Sequence, residues 1–258
     1  MANVLITGCK GGIGLDAAQR LAARGHSVYA TVHSEKSIEA VKASFGPGAS
    51  NVNVEKVDIT DPADREKASR WDIDVLINNA AIGDSGPLAE IDLERVKRVL
   101  DVNIFASLDL TRKFIPKMAE KKHGRIIFIG SMAGLMPTPF LAPYGISKFA
   151  LENVAFSLRT ELKPFGIEVV MVNPGGYNTD FNRKNIDRKY EWLQSSVLYK
   201  DHMDVIKKEE AMIIRSELQS TSSIAMQIVK AVEARKPKRR YVAPMWQWWM
   251  IPLLREFR

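Results

Sequence analysis

A doubly wound α/β fold, one parallel sheet with helices on both faces, is predicted by three observations on the sequence. Short β-branched apolar runs alternate along the chain with stretches of helical spacing, a pattern that packs helices onto a parallel sheet. A glycine-rich turn falls directly between the first such run and the first helical stretch. The length of 258 residues, with 46% apolar and 26% charged, suits one domain with a full core.

Strands are expected at 3–7, 27–32, 51–57, 74–77, 125–129 and 168–172, where apolar runs are too short for helices and rich in Val and Ile. A further strand-like pair, Tyr241-Val242, comes late in the chain. Helical spacing covers 13–24, 35–44, 93–122 and 143–163. The interval 177–221 breaks this rhythm: it is long and polar, carries Phe181, Tyr190, Trp192 and Tyr199, and follows the sixth strand, so it reads as an insertion over the site. With an aromatic tail at 244–258, the whole of 1–258 reads as one domain.

Composition narrows the function classes. The single cysteine, Cys9, allows no internal disulfide and fits a reducing cytosol. No basic and long apolar region precedes Val4-Leu5-Ile6, so no secretion signal is expected and the cytoplasm is the expected location. Apolar stretches all fall short of the ~20 residues a spanning helix needs. The net charge of +7 would attract a phosphorylated cofactor, and its densest run, Arg235-Lys236-Pro237-Lys238-Arg239-Arg240, reads as a solvated face because no nucleic-acid motif accompanies it. Histidines do not pair at metal-ligand spacing, so no metal is expected, and His123, just before Gly124, reads as a helix C-terminal cap.

In open parallel sheets the ligand crevice lies at the carboxyl ends of the strands, where strand order reverses. The first strand is followed by Thr7-Gly8-Cys9-Lys10-Gly11-Gly12-Ile13-Gly14, which opens a helix. Glycines let backbone N–H groups approach a pyrophosphate at the positive helix end, so the turn reads as a dinucleotide site in a Rossmann-like domain. Cys9 inside it reads as a small filler rather than a reactive thiol. The second strand ends in Val32-His33-Ser34, with no carboxylate at Val32 to bond a ribose 2′-hydroxyl. Lys10, His33, Ser34 and Lys36 would tolerate a 2′-phosphate, which favours NADP(H). Glu35 argues the other way and leaves NAD(H) open.

The spacing of Gly8, Gly12 and Gly14 resembles the short-chain dehydrogenase/reductase family. Further matches follow in chain order: Asp58, Asn78-Asn79-Ala80-Ala81, Asn103, Ser131, Tyr144 with Lys148, and Asn173-Pro174-Gly175. Thr7 to Leu15, Gly134-Leu135-Met136 and Ser147 to Glu152 are similar to its 17β-hydroxysteroid and retinol dehydrogenase branch. The resemblance implies that Gly8, Lys10, Gly12, Ile13 and Gly14 cradle the cofactor, that Asp58 and Ile59 meet its adenine, and that Asn79, Ala80 and Ala81 line its ribose. Ala81 stands where the family has glycine, adding a methyl. Pro174, Gly175, Tyr177 and Thr179 would hold the carboxamide end.

Tyr144 and Lys148, four apart on one helix face, allow an ammonium to lower a phenol pKa that is ordinarily near ~10. By resemblance Tyr144 is the acid/base and Ser131 steadies the substrate oxygen. Lys148 holds ribose and charge, and Asn103 holds a water linking Lys148 to solvent. The implied activity interconverts a carbonyl and an alcohol by hydride transfer. Substrate contacts are expected from Met136, Pro137, Phe140, Leu141, Tyr177 and Phe181, which suit a lipophilic ketone. The alternatives are an NAD-dependent secondary alcohol dehydrogenase, a redox-inactive nucleotide sensor, and a peripheral membrane contact through the tryptophans of the tail. A homodimer or homotetramer is what the resemblance implies.

Overall fold

The computed structural model describes residues 1–191, 193 and 196–256. Its sheet, seven-stranded among the described residues, has the order β3-β2-β1-β4-β5-β6-β7, and every pairing is parallel. The strands are β1 Asn3–Ile6, β2 Ser27–Val32, β3 Val52–Lys56, β4 Val75–Asn78, β5 Gly124–Ile129, β6 Ile167–Pro174 and β7 Arg240–Ala243. Each expected strand is present within about two residues. Chain order reverses at β1, which lies between β2 and β4, so the crevice opens beyond Ile6 and Asn78.

Period-two alternation divides the core between the sheet's two faces. Val4, Ile6, Val75, Ile77, Ile127, Val170 and Val172 pack with Ala17, Leu21, Ile224 and Ile228 on one side. These last four belong to α1 (Gly12–Ala23) and α9 (Ser222–Glu233). Leu5, Leu76, Ile126, Phe128 and Met171 pack with Leu110, Phe114, Leu151 and Ala155 on the other.

The expected helix at 35–44 begins as a 3₁₀ turn, Glu35–Ser37, and becomes α2, Ile38–Ser44; α3, Pro62–Ser69, follows β3. The expected helix at 93–122 is interrupted. It runs as α4 (Leu93–Leu100), a π-helical segment Asp101–Ala106, and α5 (Ser107–Glu120). Such wide turns insert an extra residue and re-aim the side chains within them, here Asn103. At its end Lys122 takes a left-handed φ of 50°, and His123 closes the motif with its backbone N–H on the Met118 carbonyl at 3.1 Å. Lys121 is the C-cap residue, and His123, two residues on, contributes to the cap through its backbone N–H rather than its ring.

α6, Ala142–Leu162, carries Tyr144 and Lys148. The insertion at 177–221 contains α7, Asp180–Glu191, and α8, Met203–Arg215, while Trp192 lies outside the described residues. The tail forms α10, Met245–Glu256; Phe257 and Arg258 lie outside the described residues, as do the side chains of 252–256. Arg235, Lys236, Lys238 and Arg239 are exposed, whereas Arg240 is bonded to Glu152 and Asn173. No helix among the described residues is long and apolar enough to cross a membrane.

Candidate active site

The glycine turn is clasped by the loop after β4. Thr7 Oγ1 accepts from the backbone N–H groups of Asn79 (3.0 Å) and Ala80 (2.9 Å), while Asn79 Nδ2 donates to the carbonyls of Thr7 (2.8 Å) and Gly8 (3.1 Å). A Cβ on Gly14 would fall 2.4 Å from Asn79 Nδ2, and one on Gly8, whose φ is +74°, 2.9 Å from Ala80 Cα. These two glycines are thus required by protein packing itself. The outer face is different: Gly11 and Gly12 are exposed, α1 has no side-chain cap, and no acidic residue stands in its first turn. Its free N–H groups and positive end fit a pyrophosphate. Thr179 reaches the turn from beyond β6, with its Cγ2 3.5 Å from where a Gly12 Cβ would stand.

Cys9 is fully buried, its Sγ directed to the Ile6 carbonyl at 3.4 Å, and burial pushes its thiol up to about 12. It fills space and carries no thiolate at neutral pH. Val32 is also fully buried in the core, so the side chains that leave the end of β2 toward solvent are His33, exposed, and Ser34, half-buried. Lys10 and Lys36 are exposed nearby in sequence. Asp58 Oδ1 accepts from the N–H (2.9 Å) and hydroxyl (2.7 Å) of Thr60. The Ile59 side chain belongs to the core and its carbonyl accepts from Arg65 at 2.6 Å, which leaves its backbone N–H as its means of touching a cofactor.

Beyond β5, Ser131 caps a short turn, Met132–Gly134, with Oγ accepting from the Ala133 N–H at 3.1 Å, and its hydroxyl is close enough to Tyr144 to draw the phenol pKa down. Lys148, one helical turn after Tyr144, is buried; its Nζ lies 5.5 Å from the Tyr144 ring centre and donates to the Ile129 carbonyl at 2.8 Å. Burial pushes the Tyr144 phenol up to about 12, against the opposing pull of Ser131, and pushes Lys148 down to about 8, against the attraction of Glu152. Desolvation is the largest influence on both groups, and it moves the phenol opposite to the lowering expected from the ammonium.

Asn103 Oδ1 accepts from the Ile82 N–H and Nδ2 donates to the Ile82 carbonyl, both at 2.9 Å. Nδ2 also donates to Ser147 Oγ (2.9 Å), and that hydroxyl donates to the Tyr144 carbonyl (2.7 Å). The π turn thus ties the loop after β4 to the first turn of α6. Ser147, in this network, and Glu152, below Lys148, were given no role of their own in the sequence. Glu152 was findable, because it follows Lys148 at helical spacing; it accepts from Asn173 and Arg240.

On the substrate side, the Phe181 ring stands 5.5 Å from that of Tyr144, and Phe140 meets Tyr199 edge-on at 5.4 Å. Phe140 has a φ of +60°, and its carbonyl accepts from the Gly86 N–H at 2.8 Å. Leu141 precedes α6, and both it and Met136 are half-buried, whereas Pro137 is exposed. Tyr177 departs from expectation. Its ring is 2% exposed, packed in the core with α9, and its hydroxyl is 2.8 Å from Ser223 Oγ. An apolar ring with a satisfied hydroxyl gains more there than at a wet crevice, so its side chain shapes neither ligand face.

The chain is similar to known proteins in sequence and in fold. The short chain dehydrogenase family model matches residues 2–189. Human 17-beta-hydroxysteroid dehydrogenase type 1 is 34% identical over 92% of this chain and 76% of its own length. Human retinol dehydrogenase 8 is 35% identical over 70% of this chain and 61% of its own. A short-chain dehydrogenase from Sphingobium yanoikuyae, solved in complex with NADPH, superposes with a TM-score of 0.75 at 25% identity, covering 100% of this chain and 94% of that one. The chain belongs to the short-chain dehydrogenase/reductase family, in the 17β-hydroxysteroid and retinol dehydrogenase branch. It is an oxidoreductase acting on CH–OH or carbonyl groups.

Proposed function

We propose that this enzyme reduces a lipophilic ketone or aldehyde to the alcohol with NADPH, using Tyr144 as the acid. The observation that carries this reading is the placement of Tyr144 and Lys148 one turn apart on α6, with Nζ 5.5 Å from the ring centre and Ser131 at the end of β5; burial pushes the phenol upward, which suits a proton donor at neutral pH. When bound, the nicotinamide supplies hydride to the carbonyl carbon. Ser131 donates a hydrogen bond to the carbonyl oxygen, and Tyr144 delivers the proton that completes the alcohol. Lys148 places positive charge beside the phenol and offers an ammonium to the ribose hydroxyls, while Asn103 fixes the start of α6 through Ser147.

NADP(H) is favoured because no carboxylate leaves the end of β2, where His33, Ser34 and Lys36 stand, with Lys10 in the glycine turn. Glu35, the first residue of the following turn, supports NAD(H) as the second reading. Homo-oligomerisation is supported by the exposed Phe105, Phe149 and Phe156. A turnover screen of apolar ketones and secondary alcohols with each cofactor tests catalysis, direction and cofactor together. Ketone-dependent NADPH oxidation is the expected result, and no turnover with any pair would overturn the reading.

A further inference from the structure

Below the catalytic centre two cations share one carboxylate. Glu152 lies one helical turn after Lys148 on the same face of α6, and its side chain is 14% exposed. Its Oε1 accepts from Arg240 Nη1 at 2.8 Å and its Oε2 from Arg240 Nη2 at 2.6 Å, the fork geometry in which a guanidinium holds a carboxylate most firmly. It is also the charge that attracts the buried Lys148 ammonium.

The same carboxylate reaches the end of β5. Its Oε1 accepts from Asn173 Nδ2 at 2.6 Å, that nitrogen donates to the Ser131 carbonyl at 3.1 Å, and Asn173 Oδ1 accepts from Arg240 at 2.7 Å. Lys148 donates to the Ile129 carbonyl at 2.8 Å. α6 therefore holds the main chain on both sides of Gly130, directly through Lys148 and by way of Asn173 from Glu152. Gly130 leaves room for this: a Cβ there would fall 2.5 Å from Asn173 Nδ2. A Glu–Arg pair that served only to join α6 to β7 would need neither the link to Ser131 nor a place one turn from Lys148.

We propose that Glu152 is a positioning residue for the reaction: it is the counter-ion of Lys148, shared with Arg240, and it fixes the Ser131 main chain through Asn173. This rests on the reading in which a charged Lys148 serves Tyr144, and deepens it. Because the carboxylate is shared, removing it and removing Arg240 act on the ammonium in opposite directions. Without Glu152 the buried charge loses its attraction and gives up its proton at lower pH; without Arg240 the carboxylate acts more strongly on Lys148, which keeps its proton to higher pH. The other groups at Lys148 are neutral, the Tyr144 phenol and the Ile129 carbonyl. Arg159, farther along α6, also feels Glu152, Arg239 and Arg240, and it is kept in both variants.

The test finds the pH at which each protein begins to gain stability over the same protein carrying Lys148→Met, by denaturant unfolding from about pH 6 to 11, a measurement that needs no substrate. In the wild type that rise should begin near about 8. Glu152→Gln, which keeps an oxygen for Asn173 and removes only the charge, should lower the onset by about one pH unit, whereas Arg240→Met should raise it by about half a unit. The alkaline limb of ketone reduction with NADPH should move in the same direction in each variant. An onset unmoved in Glu152→Gln overturns the proposal, and so does a shift of the same sign in both variants, which is what loss of a merely structural ion pair would give. Opposite shifts without turnover of any ketone would instead sink the reductase reading and leave the Glu152 pairing standing; turnover with an unmoved onset would do the reverse.

Discussion

Lys148 Nζ donates to the Ile129 carbonyl at 2.8 Å and so is held against the end of β5, 5.5 Å from the Tyr144 ring centre. The buried ammonium is pushed down from 10.5 to about 8, which makes it a source of pH-dependent stability. Between those two values the unfolded chain binds more protons than the folded one, so stability rises with pH there; below about 8 both states carry the charge and the burial cost is fully present. Relative to Lys148→Met, the wild type should therefore gain on the order of 1–3 kcal/mol as pH rises from neutral to about 10. Denaturant unfolding of both proteins across that range measures it. A stability difference that stays flat with pH would disprove it.

Tyr144→Phe should reduce turnover by at least about a thousand-fold, toward the upper end of what a positioned acid contributes. Cofactor affinity should stay within a few-fold, since the ring and its contact with Phe181 are kept. Stopped-flow hydride transfer and cofactor titration separate these two effects. Near-normal turnover would remove Tyr144 from the proton's path.

Cofactor choice should respond at His33 rather than at Val32, because the Val32 side chain is in the core and a carboxylate there would unfold the strand end. The wild type should show a higher kcat/KM with NADPH than with NADH. His33→Asp should move the ratio toward NADH by about ten-fold, through repulsion of a 2′-phosphate. Steady-state kinetics with both cofactors decide it, and a wild-type preference for NADH would refute the assignment.

Most of the fold was legible because buried parallel strands leave continuous Val and Ile runs, as at Val4 to Ile6 and Val169 to Val172. Direction within an element was harder to read. One residue of register separates Val32 in the core from His33 outside it, and a run of residues does not state its own phase. Tyr177 was placed at the crevice by the resemblance and by its nearness in sequence to site residues, yet its partner Ser223 lies far along the chain on α9. The π turn at Asp101–Ala106 is invisible in helical spacing, since it contains neither glycine nor proline to mark a break.

Gly14→Ala should cost about 1–3 kcal/mol of stability and weaken cofactor binding, because the new methyl would fall 2.4 Å from Asn79 Nδ2 and displace the clasp on Thr7 and Gly8. In an Asn79→Ala background the same change should cost less, with the remainder set by the Gly8 carbonyl, 2.7 Å from the new methyl. A double-mutant cycle on melting and cofactor affinity reads that coupling. Strict additivity of the two changes would show that the glycine is not needed for this contact.

The tail should act on the site through Gln247. Its Oε1 accepts from the Gly176 N–H at 2.9 Å and its Nε2 donates to the Ser216 carbonyl at 2.6 Å, so α10 pins the turn after β6 to the end of α8. A Cβ on Gly175 would lie 1.8 Å from Gln247 Oε1, which leaves no slack between them. Ile251 is buried on the same face, and Trp248 stacks on Arg240 at 5.6 Å, whereas Trp246 and Trp249 are 50% and 75% exposed. One side of α10 thus packs on the protein while the other, apolar side could meet a partner subunit or a lipid surface. Truncation after Ala243 should leave the Gly176 N–H and Ser216 carbonyl without these partners and reduce turnover by about ten-fold or more. Gln247→Leu, which keeps the helix, should reproduce part of that loss. Full activity in the truncated chain would refute a role at the site. Strong tail-dependent flotation with anionic vesicles at physiological salt would show instead that the exposed tryptophans serve a membrane.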